Sequence, residues 1–151
     1  MKVLGIEVSA SDIQWVILEG NKDGGKSEYL EVHKLGLPKS EAEEAANLLR
    51  LRDIVASEIK TRSVQKVAVI RASQGCSPLR CKMECMIQCA AKDTGISCQL
   101  IAPQTIASEQ KRIVKKTGKT LEQMFFDSKE IAPKYLVKSA FCAWSVLRDV
   151  T

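Results

Sequence analysis

The chain opens on a short apolar run, Val3-Leu4-Gly5-Ile6, interrupted by the single acid Glu7 before Val8. After the turn-like Ser9-Ala10-Ser11-Asp12 a second apolar run extends from Ile13 to Leu18. Short apolar runs bounded by turn formers predict strands over residues 2–8 and 12–18, paired as a hairpin that presents a carboxylate from its first strand. Gly20-Asn21-Lys22-Asp23-Gly24-Gly25 is dense in turn residues and contains Asp-Gly, a strong hairpin signal. A third strand over about 28–35 then completes a meander.

The pattern next changes period. Ser40-Glu41-Ala42-Glu43 is a capping box, with Ser40 accepting an amide bond and Glu43 reaching back. It opens a helix to about Ile59, whose Leu48, Leu51, Val55 and Ile59 share one stripe. Lys66-Val67-Ala68-Val69-Ile70 is a continuous apolar run that suits a buried parallel strand. Ser77-Pro78 supplies an N-cap and a first-turn proline for a helix to about Asp93, and Gly95 ends it. Ser97 to Ile101 make a fifth strand, and Pro103 starts a helix to about Val114. A polar, basic stretch from Lys115 to Thr120, a helical piece from Leu121 to Phe126, and a terminal helix from Pro133 to about Arg148 follow.

Three meandering strands, then helix, strand, helix, strand and more helices, with right-handed crossovers, give one α/β architecture. It is a five-stranded mixed sheet, an antiparallel three-strand meander plus two parallel strands, with helices on both faces. That is the RNase H-like topology, and the whole chain, residues 1–151, reads as a single domain of that kind. A chain of 151 residues is long enough to bury roughly two thirds of its unfolded surface.

Composition narrows the setting without choosing a function. Hydrophobic content of 45% and charged content of 27% are those of an ordinary globular protein. No apolar run approaches the roughly 18 residues of a membrane span, and Glu7 breaks the only apolar stretch where a secretory signal would lie. The cytoplasm is the expected address. Three of the six cysteines, Cys81, Cys85 and Cys89, recur at helical spacing, which points to reduced thiols. The net charge of +5 permits an anionic partner without requiring one.

Gly5-Ile6-Glu7 resembles the first-strand motif of RuvC-like Holliday-junction resolvases, with Glu where that family has Asp. Lys82-Met83-Glu84-Cys85-Met86-Ile87-Gln88, Gly95-Ile96 and Ala102-Pro103-Gln104-Thr105-Ile106 resemble the later half of the same fold. The chain resembles still more a family of small, functionally uncharacterised bacterial RNase H-like proteins. The resemblance spans nearly the whole length and implies a fold, with no activity attached.

RuvC-like nucleases need three or four acids around two divalent ions roughly 4 Å apart. The first acid maps to Glu7, the candidate metal ligand. The second belongs just past the fourth strand, where Arg71-Ala72-Ser73-Gln74 has no carboxylate. The last belongs on the terminal helix, whose early turns carry Lys134, Lys138 and Ser139, with Glu130 before Pro133 and Asp149 at the far end. A cation at a ligand position repels Mg²⁺. Glu84, on the second helix, reaches the carboxyl edge of the sheet only if that helix sits unusually, and Glu7 with Glu84 is still only a pair. Mg or Mn is therefore expected only if the chain is a nuclease, and no other cofactor is indicated. The plainer role for Glu7 is an ion pair with Lys82, Arg71 or Lys138, and for Glu84 a solvated helix charge.

Cys81 and Cys89 are separated by about 12 Å of helix, whereas thiolates sharing one zinc sit about 4 Å apart. A zinc would need Cys76 or Cys98 as further ligands, and the single histidine, His33, lies on a distant strand. The cysteines instead form a second semi-apolar face opposite Leu79, Met83, Met86 and Ala90, which another helix or a second copy of the chain would cover. RuvC-like proteins often dimerise, so a homodimer is one candidate assembly. Gly118-Lys119-Thr120 lacks the upstream Gly and strand of a phosphate-binding loop, because Ile113 stands where the Gly belongs. Trp15, Trp144, Phe141 and Tyr135 fall where strand and helix faces meet and read as core.

Lys111, Arg112, Lys115, Lys116 and Lys119 place five basic residues in nine. Such a run can neutralise phosphates, and no interleaved aromatic residue indicates base stacking. The expected function is nucleic-acid binding through this run, helped by Arg71, Lys134 and Lys138, with little or no cleavage. An active metal-dependent nuclease using Glu7 and Glu84 is the first alternative. A protein-interaction module built on the cysteine-bearing helix is the second.

Overall fold

The computed structural model describes residues 1–9, 11–126 and 137–150. In chain order the elements are β1 (Lys2–Val8), β2 (Asp12–Asn21), β3 (Gly24–Lys34), α1 (Glu41–Thr61), β4 (Lys66–Ile70), α2 (Pro78–Asp93), β5 (Ser97–Ile101), α3 (Pro103–Thr117), α4 (Leu121–Phe125) and α5 (Val137–Leu147). The five strands form one sheet in the order β3-β2-β1-β4-β5. β1 runs antiparallel to β2 and β2 to β3, while β1–β4 and β4–β5 are parallel. This is the mixed sheet expected from the order of the elements.

Side-chain alternation divides the core. Leu4, Ile6 and Val8 of β1 join Trp15, Ile17, Val67 and Val69 beneath Leu51, Val55 and Ile59 of α1 and Met83 and Ile87 of α2. The opposite face carries Val3, Val16, Leu18 and Ala68 under Ile106 and Ile113 of α3, Phe125 of α4, and the apolar side of α5. Glu7 shares the parity of Val3 and Gly5, so β1 directs its one acid to the α3–α5 side. Trp15, Trp144 and Phe141 are core residues, as expected, with Phe125 edge-on to Trp144 at 5.8 Å. Tyr135 lies outside the described residues.

Two boundaries move and one cap is built differently, each for a local reason. The second hairpin is tighter than its glycines suggested: β2 and β3 pair up to Asn21 opposite Gly24, leaving only Lys22-Asp23 as the turn. Gly20 and Gly25 are strand residues facing one another, and a Cβ on Gly20 would stand 2.9 Å from the Gly25 Cα. Helix α3 continues through Lys115 and Lys116 to Thr117 and stops at Gly118, whose φ of 68° is left-handed. At the start of α1, Ser40 Oγ accepts from Glu43 N at 3.1 Å, while Glu43 accepts from Lys39 N rather than from Ser40 N. The expected start of the last helix at Pro133 lies outside the described residues. Among the described residues no helix is long and apolar enough to cross a membrane.

Candidate functional site

The site grows from a contact between β1 and α5. A Cβ on Gly5 would run into Ser139 O and stand 2.8 Å from Ala143 N, so α5 packs backbone to backbone on the strand only because residue 5 has no side chain. The buried Ser139 donates its Oγ proton to Gln14 O at 3.0 Å on β2, fixing the first turns of the helix over the strand ends. Lys138 is thereby carried to the end of β1. Its Nζ lies 3.7 Å from Glu7 Oε1, with side-chain exposures of 65% and 21% respectively. The cation is mostly solvated and the carboxylate mostly enclosed.

Glu7 and Lys138 stand on one wall of a cleft of about 330 Å³. Ser73, Arg80 and Gln110 supply its other polar groups, and Ile70, Pro103 and Ile106 its apolar ones. The first turns of two helices reach this cleft. Arg80 is the third residue of α2, placed there by Ser77, whose Oγ accepts from Arg80 N at 3.3 Å. Pro103 is the first residue of α3. Helix N-termini favour negative charge. Arg80 Nε is buried without a hydrogen-bond partner among the described residues, a donor with unused capacity beside the cleft.

Glu84 is placed elsewhere. Its Oε2 accepts from Ala72 N at 2.6 Å, just past the end of β4, where Arg71 N in turn donates to Ile101 O at 2.8 Å. Glu84 thus does reach the carboxyl end of β4, where it clasps the β4–α2 loop as a half-buried acceptor rather than a solvated helix charge, but it stays outside the lining of the cleft that Glu7 enters. The described lining of the cleft thus holds one carboxylate and two cations, Arg80 and Lys138. Among the described residues no group of three His, Cys, Asp or Glu side chains could hold a metal ion. This donor set does not fit a two-metal centre. Glu130 and Lys134 lie outside the described residues.

The basic run is not a single stripe. Lys111, Lys115, Lys116 and Lys119 are exposed, and none forms an ion pair with a described residue. At about 100° per residue, Lys111 and Lys115 lie about 40° and about 80° round the helix from Ala107, which lines the cleft, whereas Arg112 and Lys116 lie about 140° and about 180° away on the far edge. Arg112 is engaged there: its guanidinium donates at 2.9 Å to Glu109, a fully buried carboxylate also paired with Arg148. Arg71 is exposed. Arg80, Ser73 and Gln110 escaped sequence reasoning. Only Arg80 left a hint, the Ser77-Pro78 cap that fixes which residues occupy the first turn of α2.

Solved structures share this architecture. RuvC of T. thermophilus, in complex with a Holliday junction substrate, matches with a TM-score of 0.74 at 15% identity, covering 96% of this chain and 91% of that one. The yeast mitochondrial Holliday junction resolvase matches at 0.58 and 13% identity, covering 96% and 79%. The fowlpox virus resolvase, in complex with substrate Holliday junction DNA, matches at 0.55 and 12% identity, covering 96% and 97%. At these identities the likeness establishes an RNase H-like, RuvC-like fold. No curated protein matches the sequence. Residues 1–127 match the family described as "Protein of unknown function (DUF3010)", and the chain belongs to that family.

Proposed function

We propose that this protein binds nucleic acid along the cleft and the adjoining flank of α3, and cleaves it little or not at all. The observation that carries this proposal is the composition of the cleft: one carboxylate, Glu7, facing Lys138 at 3.7 Å, with Arg80 also in the lining. Cations and two helix N-termini around a mostly enclosed acid attract a phosphate and disfavour a pair of divalent ions. Lys111 and Lys115 extend the same positive surface outward, each able to displace a counterion from a phosphate backbone. The RuvC and fowlpox structures, both captured with Holliday junctions, support the choice of nucleic acid as partner. All six cysteines are free, which suits a reducing cytoplasm.

The test is a fluorescence-polarisation titration against duplex, single-stranded and four-way-junction DNA and duplex RNA, at two salt concentrations, with and without Mn²⁺. Salt-sensitive binding that Arg80→Ala or Lys138→Ala weakens is the expected result. No binding at low salt would discard the nucleic-acid partner and favour a protein one. Cleavage in Mn²⁺ that Glu7→Gln abolishes would replace the binding protein with a nuclease.

A further inference from the structure

One pair of side chains near the cleft has a chemistry that nucleic-acid binding does not use. Ser77 is the N-cap of α2, so Cys76 precedes the cap and Cys81 is the fourth helical residue. Side chains at these two positions meet across a capped helix start, the place usually filled by an apolar staple. Here both are cysteines, and their sulfurs approach to 3.1 Å. A disulfide needs about 2.05 Å, so roughly 1 Å of closure joins them. The segment that would move is a loop turn rather than a helix: Cys76 follows Gly75, at φ 83°, in a turn closed by the Cys76 N to Ser73 O hydrogen bond of 3.1 Å. Cys81 is exposed and Cys76 half-buried, so a small oxidant reaches one sulfur while the other waits beside it. Among the described residues no other pair of cysteines is in hydrogen-bond contact.

We propose that Cys76 and Cys81 are a reversible dithiol–disulfide site, oxidised by a low-molecular-weight disulfide such as oxidised glutathione. The Cys81 thiol loses its proton to solvent, and its sulfur attacks the oxidant, whose S–S bond breaks to release one thiol and leave a mixed disulfide. Cys76, deprotonated in its turn, attacks the Cys81 sulfur. The second thiol departs and the Cys76–Cys81 bond remains, so two protein thiols have given up two electrons and two protons to one disulfide. The hydrogen bond with Cys76, more than burial, holds the Cys81 thiol above its ordinary value, so the exchange accelerates as pH rises through the thiol range. The product would staple the loop bearing Ser73 to the turn bearing Arg80, both in the cleft lining. The site stands on its own geometry and does not require the cleft to bind nucleic acid.

The test uses the full chain incubated with oxidised glutathione, alkylated with iodoacetamide and digested with trypsin without reduction. Trypsin cuts after Arg71, Arg80 and Lys82, so the bond appears as residues 72–80 linked to residues 81–82, and dithiothreitol separates them. Cys76→Ser is expected to abolish this species and trap a glutathione adduct on Cys81. The proposal is overturned if Cys76 and Cys81 stay fully alkylated at every oxidant ratio. It is also overturned if Cys81 links instead to Cys85, or to a second copy of the chain.

Discussion

At the scale of single residues, the absence of an atom at Gly5 matters as much as the presence of a charge at Glu7. Gly5 admits α5 to the strand, and α5 brings the lysine that faces the acid two residues further along β1. Gly5→Ala places a methyl against backbone, Ser139 O and Ala143 N, which cannot swing aside as a side chain could. Overpacking of this kind costs about 1–3 kcal/mol. Urea denaturation of the variant should show a lower midpoint with an unchanged slope, and an undiminished midpoint would mean that α5 shifts freely. The thiols offer a second check. Burial pushes the Cys98 thiol up to about 11, with the Glu84 charge adding to it, and pushes fully buried Cys142 up as well. At pH 8 about one Cys98 in a thousand would then be a thiolate. Brief iodoacetamide treatment at that pH should mark exposed Cys85 and spare Cys98 and Cys142, as read by peptide mass spectrometry. The sign for stability follows: the raised values favour the fold below the ordinary thiol pKa, and that contribution fades as pH rises above it, because the unfolded chain releases these protons first.

At the scale of elements, α3 and α5 are joined by a charge cluster that periodicity alone could not show. Glu109 is wholly buried, and its partners come from one turn along its own helix, Arg112, and from just beyond α5, Arg148. Removing different members should have unequal effects. Glu109→Gln frees two guanidiniums that both retain water, with side-chain exposures of 41% and 22%, so the loss should stay below about 3 kcal/mol. Arg148→Met leaves a buried carboxylate with Arg112 as its one remaining ion-pair partner among the described residues, and should be the more destabilising change. Equal denaturation midpoints for the two variants would show that Arg148 adds little to the pair. The strands and helices of the fold were legible because each buries a face with its own period: Leu51, Val55 and Ile59 repeat along α1, and Val67 to Ile70 form a continuous buried strand. What stayed illegible were contacts made across the sequence. Gly20 and Gly25 carry the composition of a turn, yet sit in strands because their backbones approach too closely for a Cβ. Lys115 and Lys116, polar enough for a loop, continue α3 because Gly118 is the first residue able to take the left-handed cap.

At the scale of the molecule, position on the fold decides what each charge can do, and the sequence gives only their number. Glu7 and the basic run stand out in the chain, but Arg80 becomes a site residue only when β1, α2, α3 and α5 bring their ends to one cleft. The same geometry splits the basic run into a near flank, Lys111 and Lys115, and a far edge occupied by Lys116 and the already paired Arg112. If the phosphate backbone follows the cleft, the two flanks must contribute unequally to its salt dependence. Lys111→Ala and Lys115→Ala should each weaken binding to every sequence alike and reduce the slope of log affinity against log salt by about 1. Lys116→Ala should change neither by a comparable amount. The three variants differ from one another by position alone, so their comparison separates a located interface from a general attraction to the net positive charge. Equal losses in all three would mean that the chain is held by its overall charge, and a loss confined to Lys116→Ala would move the bound strand to the opposite edge of α3, away from Glu7.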